Sequence, residues 1–267
     1  MKLITLLTDF GLQDGFVGVM KGVILNIAPQ AAIVDLDHEV GPQNVLQGAF
    51  ILGRCVPYFP PGTVHVAVVD PGVGTSRRPV AVHIMMQGKE FYCVGPDNGL
   101  FTYVYGLAEH QGGSFRVFQL NQPQYWLAEV SHVFHGRDIF SPVAAHLVNG
   151  VPVERLGTLV NDPLRLQLPP VEAIPGGARG RVAAIDVFGN LLTNLERERL
   201  AQFQNISLRV CGQVIHGLVR TFGSRPAGEL IGLYDEENFL MVSVVNGNAQ
   251  ARLGARVGDA VEVMAEE

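Results

Sequence analysis

A chain of 267 residues with 48% hydrophobic and 16% charged side chains can bury one large core or two modest ones, which excludes global disorder. Its net charge of −6, without any basic block, argues against nucleic acid as a partner. No apolar run approaches the ~18 residues of a membrane span. The N-terminal run stops at Asp9, too soon for a signal peptide, and Cys55, Cys93 and Cys211 are too few and scattered for a disulfide framework or a zinc-binding CxxC pair. The expectation is a cytoplasmic protein with no membrane association and no bound metal.

In chain order, residues 3–7 read as a buried strand and 16–27 as a helix stopped at Ala28-Pro29. Residues 32–36 form a second strand, 45–56 a helix with Pro57 just beyond, and 64–69 a third strand. Residues 80–85 and 90–94 pair about the turn Gln87-Gly88-Lys89. Residues 139–148 form a helix closed by Asn149-Gly150. Strands alternating with helices predict an α/β domain over residues 1–162, its central sheet mostly parallel and covered on both faces. Pro163, Pro169, Pro170 and Pro175 mark 163–179 as a linker. From 180 to 267 the pattern is β-like (182–187, 191–195, 206–210, 212–218, 240–245 and 260–264), which predicts a small β-barrel-like domain.

Four polar clusters interrupt this pattern. The first, Thr8-Asp9-Phe10-Gly11-Leu12-Gln13-Asp14-Gly15, puts Asp9 at a strand's carboxyl end, where its acceptors suit a ribose diol. Asp14 reads as the N-cap of the following helix. The second, Val69-Asp70-Pro71-Gly72-Val73-Gly74-Thr75-Ser76-Arg77-Arg78, follows the third strand and lets Arg77 reach back to Asp70. It is a charged site or a surface loop with an ion pair, and neither a Walker A loop nor a dinucleotide fingerprint. The third, Ser131-His132-Val133-Phe134-His135-Gly136-Arg137-Asp138, offers His135 as a general base, a charge-stabilising group or a structural histidine, with Asp138 as a helix cap. Zinc at His132 and His135 lacks a third ligand. The fourth, Asp186-Val187-Phe188-Gly189-Asn190-Leu191-Leu192-Thr193-Asn194, sets carboxylate, aromatic and amide side by side, as a nucleobase and an ammonium group require, but it also fits a plain β-turn.

Taken in this order, the clusters resemble the S-adenosyl-L-methionine (SAM) hydroxide adenosyltransferases, relatives of the SAM-dependent fluorinase and chlorinase. Gly95-Pro96-Asp97-Asn98-Gly99-Leu100, Phe134-His135-Gly136-Arg137-Asp138-Ile139-Phe140 and Asn246-Gly247-Asn248-Ala249 extend the resemblance over nearly the whole chain. It implies hydrolysis of SAM to adenosine and L-methionine, with SAM as substrate and no cofactor. It also implies a homotrimer whose sites lie between the N-terminal domain of one subunit and the C-terminal domain of a neighbour. The family's catalytic triad falls on Asp70, Arg77 and His135, and its ribose-binding aspartate on Asp9. Adenine and methionine contacts fall on Asp186, Phe188 and Asn190, backbone contacts to the adenine edge near Asn246 to Ala249 with Asn248 among them, and Phe222 beside the adenine.

In this reading Asp70 takes or orients the proton of water, while Arg77 and a protonated His135 stabilise the developing negative charge. The halogenating relatives carry tyrosine where this chain has Asp70, and the fluorinase pocket has an aromatic residue where it has Gln43. A carboxylate repels halide, so hydrolysis is expected ahead of halogenation. A SAM- or adenosine-binding sensor would need Asp9 and the Phe188 cluster but not the triad. A vestigial assembly protein would bind no SAM.

Overall fold

The computed structural model describes residues 2–203 and 205–266. The chain divides into two compact units, Met1–Leu166 and Gln167–Glu267. Residues 163–166 are held within the first unit, because Leu164 N–H donates to Asp97 (2.8 Å) and Leu166 N–H donates to Thr102 Oγ1 (2.8 Å). The rest of the proline-rich stretch carries a short strand, Glu172–Ile174, and the start of a longer one, Gly177–Ile185. Its prolines sit beside strands, where a missing N–H does least harm.

The first unit contains β1 (Leu3–Thr8), α1 (Phe16–Ile27), β2 (Ala32–Asp37), α2 (Val45–Cys55), β3 (Val64–Val68), β4 (Pro79–Met86), β5 (Lys89–Pro96), α3 (Thr102–His110), β6 (Ser114–Leu120), α4 (Ser141–Val148) and β7 (Gly157–Val160). Among the described residues its strands form a seven-stranded sheet in the order β2-β1-β3-β5-β4-β6-β7. β2, β1, β3 and β5 pair in parallel, and β4, β6 and β7 pair antiparallel to their neighbours. Five of the seven strands therefore point the same way, with β4 and β7 opposed. The β4–β5 hairpin turns at Gln87-Gly88, both at positive φ (49° and 72°), the twist that a two-residue hairpin needs.

Alternating side chains divide between two cores, one on each face of the sheet. Ile4, Leu6, Val64, Val66 and Val68 pack with Val17, Met20 and Ile24 of α1 and with Val143 and Ala144 of α4. Leu7, Ala67 and Val69 pack on the other side with Leu52 of α2 and Val104 of α3. The i, i+3, i+7 spacing of Val17, Met20 and Ile24 is what lays α1 on the sheet. Its N-cap is Gly15 at φ 72°, not Asp14, and no side chain caps it among the described residues. The left-handed turn carries the chain into the helix without an Asx cap.

The second unit contains β8 (Glu172–Ile174), β9 (Gly177–Ile185), β10 (Leu191–Glu196), α5 (Arg197–Leu200), β11 (Ile206–Val210), β12 (Gln213–His216), β13 (Leu230–Tyr234), β14 (Phe239–Val244), α6 (Ala249–Leu253) and β15 (Ala260–Ala265). The order β12-β11-β15-β9-β10-β14-β13 is antiparallel throughout, with β8 added beside β9. Just past β12, Val219 N–H donates to Gly232 O of β13 (2.9 Å), so the sheet nearly closes into a barrel. Leu191, Leu195, Leu208, Val242, Val261 and Val263 fill its interior. Among the described residues no helix is long and apolar enough to cross a membrane.

Candidate active site

The register Thr8↔Val68 makes β1 and β3 end side by side. Asp9 and Asp70 therefore leave neighbouring strands at the sheet's carboxyl edge, where open α/β sheets hold ligands. The strand end before Asp70 is clasped by Asn98, whose Nδ2 donates to Val69 O (2.8 Å). The chain then turns through Gly72 and Gly74 and brings Arg77 back. Arg77 Nε donates to Asp70 Oδ1 and Oδ2 (both 2.9 Å), and Nη2 pairs with Oδ2. The two side chains are only 5% (Asp70) and 8% (Arg77) exposed. This is a buried, bidentate ion pair, not a solvated surface contact.

The same Nη2 lies 2.9 Å from His135 Nδ1. A guanidinium can only donate, so Nδ1 accepts and the ring is neutral, with its proton on Nε2. Burial, and then the Arg77 charge, push the His135 pKa below its ordinary value. The sequence expectation of a protonated His135 is thus corrected: the cation next door makes a second positive charge unfavourable. The guanidinium also sits 5.2 Å from the centre of the Phe140 ring. Its Nη1 is buried and finds no acceptor among the described residues. That donor is open to an oxygen or an anion entering the site.

The 131–135 segment is locked against this turn at Gly74. Gly74 has φ 75°, and a Cβ there would stand 2.2 Å from His132 O. His135 itself precedes a π-helical turn, Gly136–Phe140, that runs directly into α4. Asp138 does not cap that turn. It is fully buried and accepts from Ser131 N (2.8 Å) and from Arg137 Nε (2.5 Å). Burial pushes its carboxyl up, but the bonds from Arg137 and Ser131 outweigh this and hold it below the usual range. Asp138 thus fixes the histidine loop from beneath.

Asp9 has one oxygen engaged, Oδ2 accepting from Gln43 N (2.8 Å). Phe10, Phe16 and Phe134 form an edge-to-face trio with centroids 5.4–6.1 Å apart, which joins the Asp9 loop to the His135 loop. Sequence reasoning missed a second supporting pair. Arg78 is held by buried Asp97 (Nε to Oδ2, 2.8 Å) and by Asp162 (Nη1 to Oδ1, 2.7 Å), which anchors the residue next to Arg77. The second arginine of the turn, with Asp97 and Asp162 further along the chain, was the available signal.

In the second unit the Asp186 carboxylate accepts from Phe188 N (2.9 Å), Asn190 N (2.8 Å) and Asn190 Nδ2 (2.7 Å). The β9–β10 connection is therefore an aspartate-braced turn. Asn248 caps α6 by accepting from Ala251 N (2.7 Å). Gly189, at φ 81°, lies so close that a Cβ would stand 2.2 Å from Asn248 Cγ. Asp186, Phe188, Asn190 and Asn248 are thus brought together. Val187 and Phe188 project from the turn, 90% and 71% exposed. Phe222 is exposed too, in a short 3₁₀ turn, Phe222–Ser224. Among the described residues no group of three or more His, Cys, Asp or Glu side chains could hold a metal ion.

Fold and site together define a class: two-unit proteins with an aspartate–arginine–histidine cluster at the strand ends of an α/β unit, followed by a β-barrel-like unit. The chain belongs to the SAM hydroxide adenosyltransferase family, whose N-terminal domain profile matches residues 4–157 and whose C-terminal domain profile matches residues 180–262. It is similar to the (R)-S-adenosyl-L-methionine hydrolase of Thermus thermophilus (39% identical, covering 99% of this chain and 100% of that protein). The enzyme of the same name from Salinispora arenicola is 38% identical, covering 98% of this chain and 97% of that protein. A fluorinase from an Actinoplanes species is 30% identical over 74% of this chain and 73% of its own length. A solved structure of an uncharacterised conserved protein from Thermotoga maritima superposes with a TM-score of 0.88 at 37% identity, covering 98% of this chain and 99% of that one.

Proposed function

We propose that the chain is an enzyme that hydrolyses SAM, water attacking C5′ and methionine leaving, to give adenosine and L-methionine. The observation that carries this reading is the buried Asp70–Arg77–His135 cluster with a neutral histidine and an open Arg77 Nη1. The sulfonium leaves as a neutral thioether and needs no protonation. The enzyme's task is to hold a water in line with the C5′–S bond and to take its proton. His135 Nδ1 is occupied by Arg77, so the histidine is a donor at Nε2 and Asp70 is the acceptor for that proton. Arg77 Nη1 and His135 Nε2–H stabilise the hydroxide character that develops on the attacking oxygen. In the same reading Asp9 accepts from the ribose hydroxyls.

The Phe188 and Asn248 cluster meets the adenine and methionine parts of SAM from a neighbouring subunit of a homotrimer. A trimer gives the exposed Val187–Phe188 tip a surface to cover. Purified protein incubated with SAM, with and without excess chloride, tests the reading by chromatography. Adenosine and methionine in amounts unaffected by chloride support it. A 5′-chloro nucleoside product would mean that Asp70 does not exclude halide. SAM recovered bound and intact would identify a sensor.

A further inference from the structure

Behind the Asp9 loop runs a chain of polar groups that the hydrolysis itself does not use. Lys21 Nζ donates to Asp35 Oδ2 (2.6 Å), and Asp35 Oδ1 faces His38 Nε2 at 3.1 Å. His38 Nδ1 lies 2.8 Å from Thr8 Oγ1, and Thr8 Oγ1 is 3.2 Å from Phe10 N. Thr8 and His38 are buried, and they stand just at the ends of β1 and β2. His38 Nε2 stands at ion-pair distance from Asp35 Oδ1 but makes no hydrogen bond among the described residues, so the Thr8–His38 Nδ1 bond is open to either sense. In both senses the Thr8 oxygen accepts from Phe10 N–H. The His38 carbonyl takes a further bond from Gly11 N–H (2.8 Å). Both peptide N–H groups that flank the exit from Asp9 thus depend on His38, one through its side chain and Thr8, the other through its main chain.

We infer that Thr8 and His38, braced by Asp35, are positioning residues that set the Asp9 carboxylate for the ribose of SAM. This rests on the reading of Asp9 as the ribose acceptor. A group that binds ground state and transition state alike moves KM and leaves kcat in place, so a positioning residue behind it does the same. Thr8→Val keeps the shape and removes the hydroxyl, leaving Phe10 N–H without its acceptor. It raises KM for SAM about tenfold, equivalent to ~1.4 kcal/mol, with kcat within about twofold. Thr8→Ser restores KM.

In an Asp9→Ala background, where KM is already raised, Thr8→Val adds less than about twofold, because the two changes act on one contact. If Thr8→Val does not fold, His38→Gln cuts the same chain one link further out and goes through the same cycle. A raised KM in Asp9→Ala with an unaltered KM in Thr8→Val overturns the positioning role alone, as do fully additive effects or a fall in kcat at constant KM. An unaltered KM in Asp9→Ala overturns the ribose reading of Asp9 and this inference with it.

Discussion

Gly74 is where the Asp70–Arg77 turn and the His135 loop touch, and Gly74→Ala tests whether that contact sets the geometry of the proposed site. The substituted methyl would sit 2.2 Å from His132 O, whereas non-bonded heavy atoms rest about 3.5 Å apart. The Asp70–Arg77 turn and the His135 loop must therefore separate by roughly 1 Å, and a displacement of that size costs about 10²-fold in rate. Alanine at φ 75° adds a backbone cost of about 1 kcal/mol, enough to lower Tm by roughly 2–4 °C in a chain of this size. The assay is adenosine release from SAM under saturation, with a melting curve on the same preparation. A kcat about 10²-fold down is the expected result, with a fall in Tm larger than the backbone cost alone because overpacking adds about 1–3 kcal/mol. A kcat within threefold of the parent would show that the Arg77–His135 contact does not depend on this packing.

Other predictions rest on single groups. Asp70→Asn removes the only proton acceptor of the cluster and should lower kcat roughly 10²–10⁴-fold while SAM binding, read by calorimetry, changes little; an active variant removes Asp70 from the mechanism. Because the pKa of His135 lies below its ordinary 6.5 and the neutral ring is the competent form, kcat should be flat from pH 7 to 9 and fall only below 6.5; a rate that climbs between pH 7 and 8 contradicts the neutral assignment. His65 is buried on β3, bonded to Thr5 Oγ1 (2.8 Å), and burial pushes its pKa down to about 3. Below pH 6.5 the unfolded chain takes a proton that the folded ring refuses, so stability falls with pH, by about 3 kcal/mol between pH 8 and pH 4 from this ring alone. The double variant Thr5→Val/His65→Leu should lose that part of the pH dependence in urea unfolding curves, and an unchanged acid limb would assign it elsewhere.

Most of the first half of the fold was legible because its strands and helices carry clean periods. Helix α1 begins and ends where Phe16, Ile27 and the following Ala28-Pro29 place it. Helix α3 was not legible: its TYVYGLAEH sequence is rich in β-branched and aromatic residues, and no side chain caps its start. Only packing of Val104, Tyr105 and Ala108 into the core makes it a helix. Strand β13 was missed because Leu230–Tyr234 has a glycine at its centre, where Leu208 presses against the backbone. For the site, the meeting of Asp70 with Arg77 was readable from a Gly-rich turn of the right length. The neutrality of His135 was not, since it follows from a contact across 58 positions. Nor could spacing reveal that Asp14 and Asp138 cap nothing, because both have the right residue at the right place and only the backbone path decides.

The charges of the buried cluster sum to zero: one carboxylate, one guanidinium, one neutral ring. Arg77 is shared, but its two partners are not equivalent. Replacing His135 with a neutral side chain leaves the sum unchanged, whereas replacing Asp70 with one leaves a buried, uncompensated cation with an open N–H. Such a hole is a receptacle for a small anion. A cluster of this construction lies one substitution, at position 70, from one whose buried charge would favour an anion.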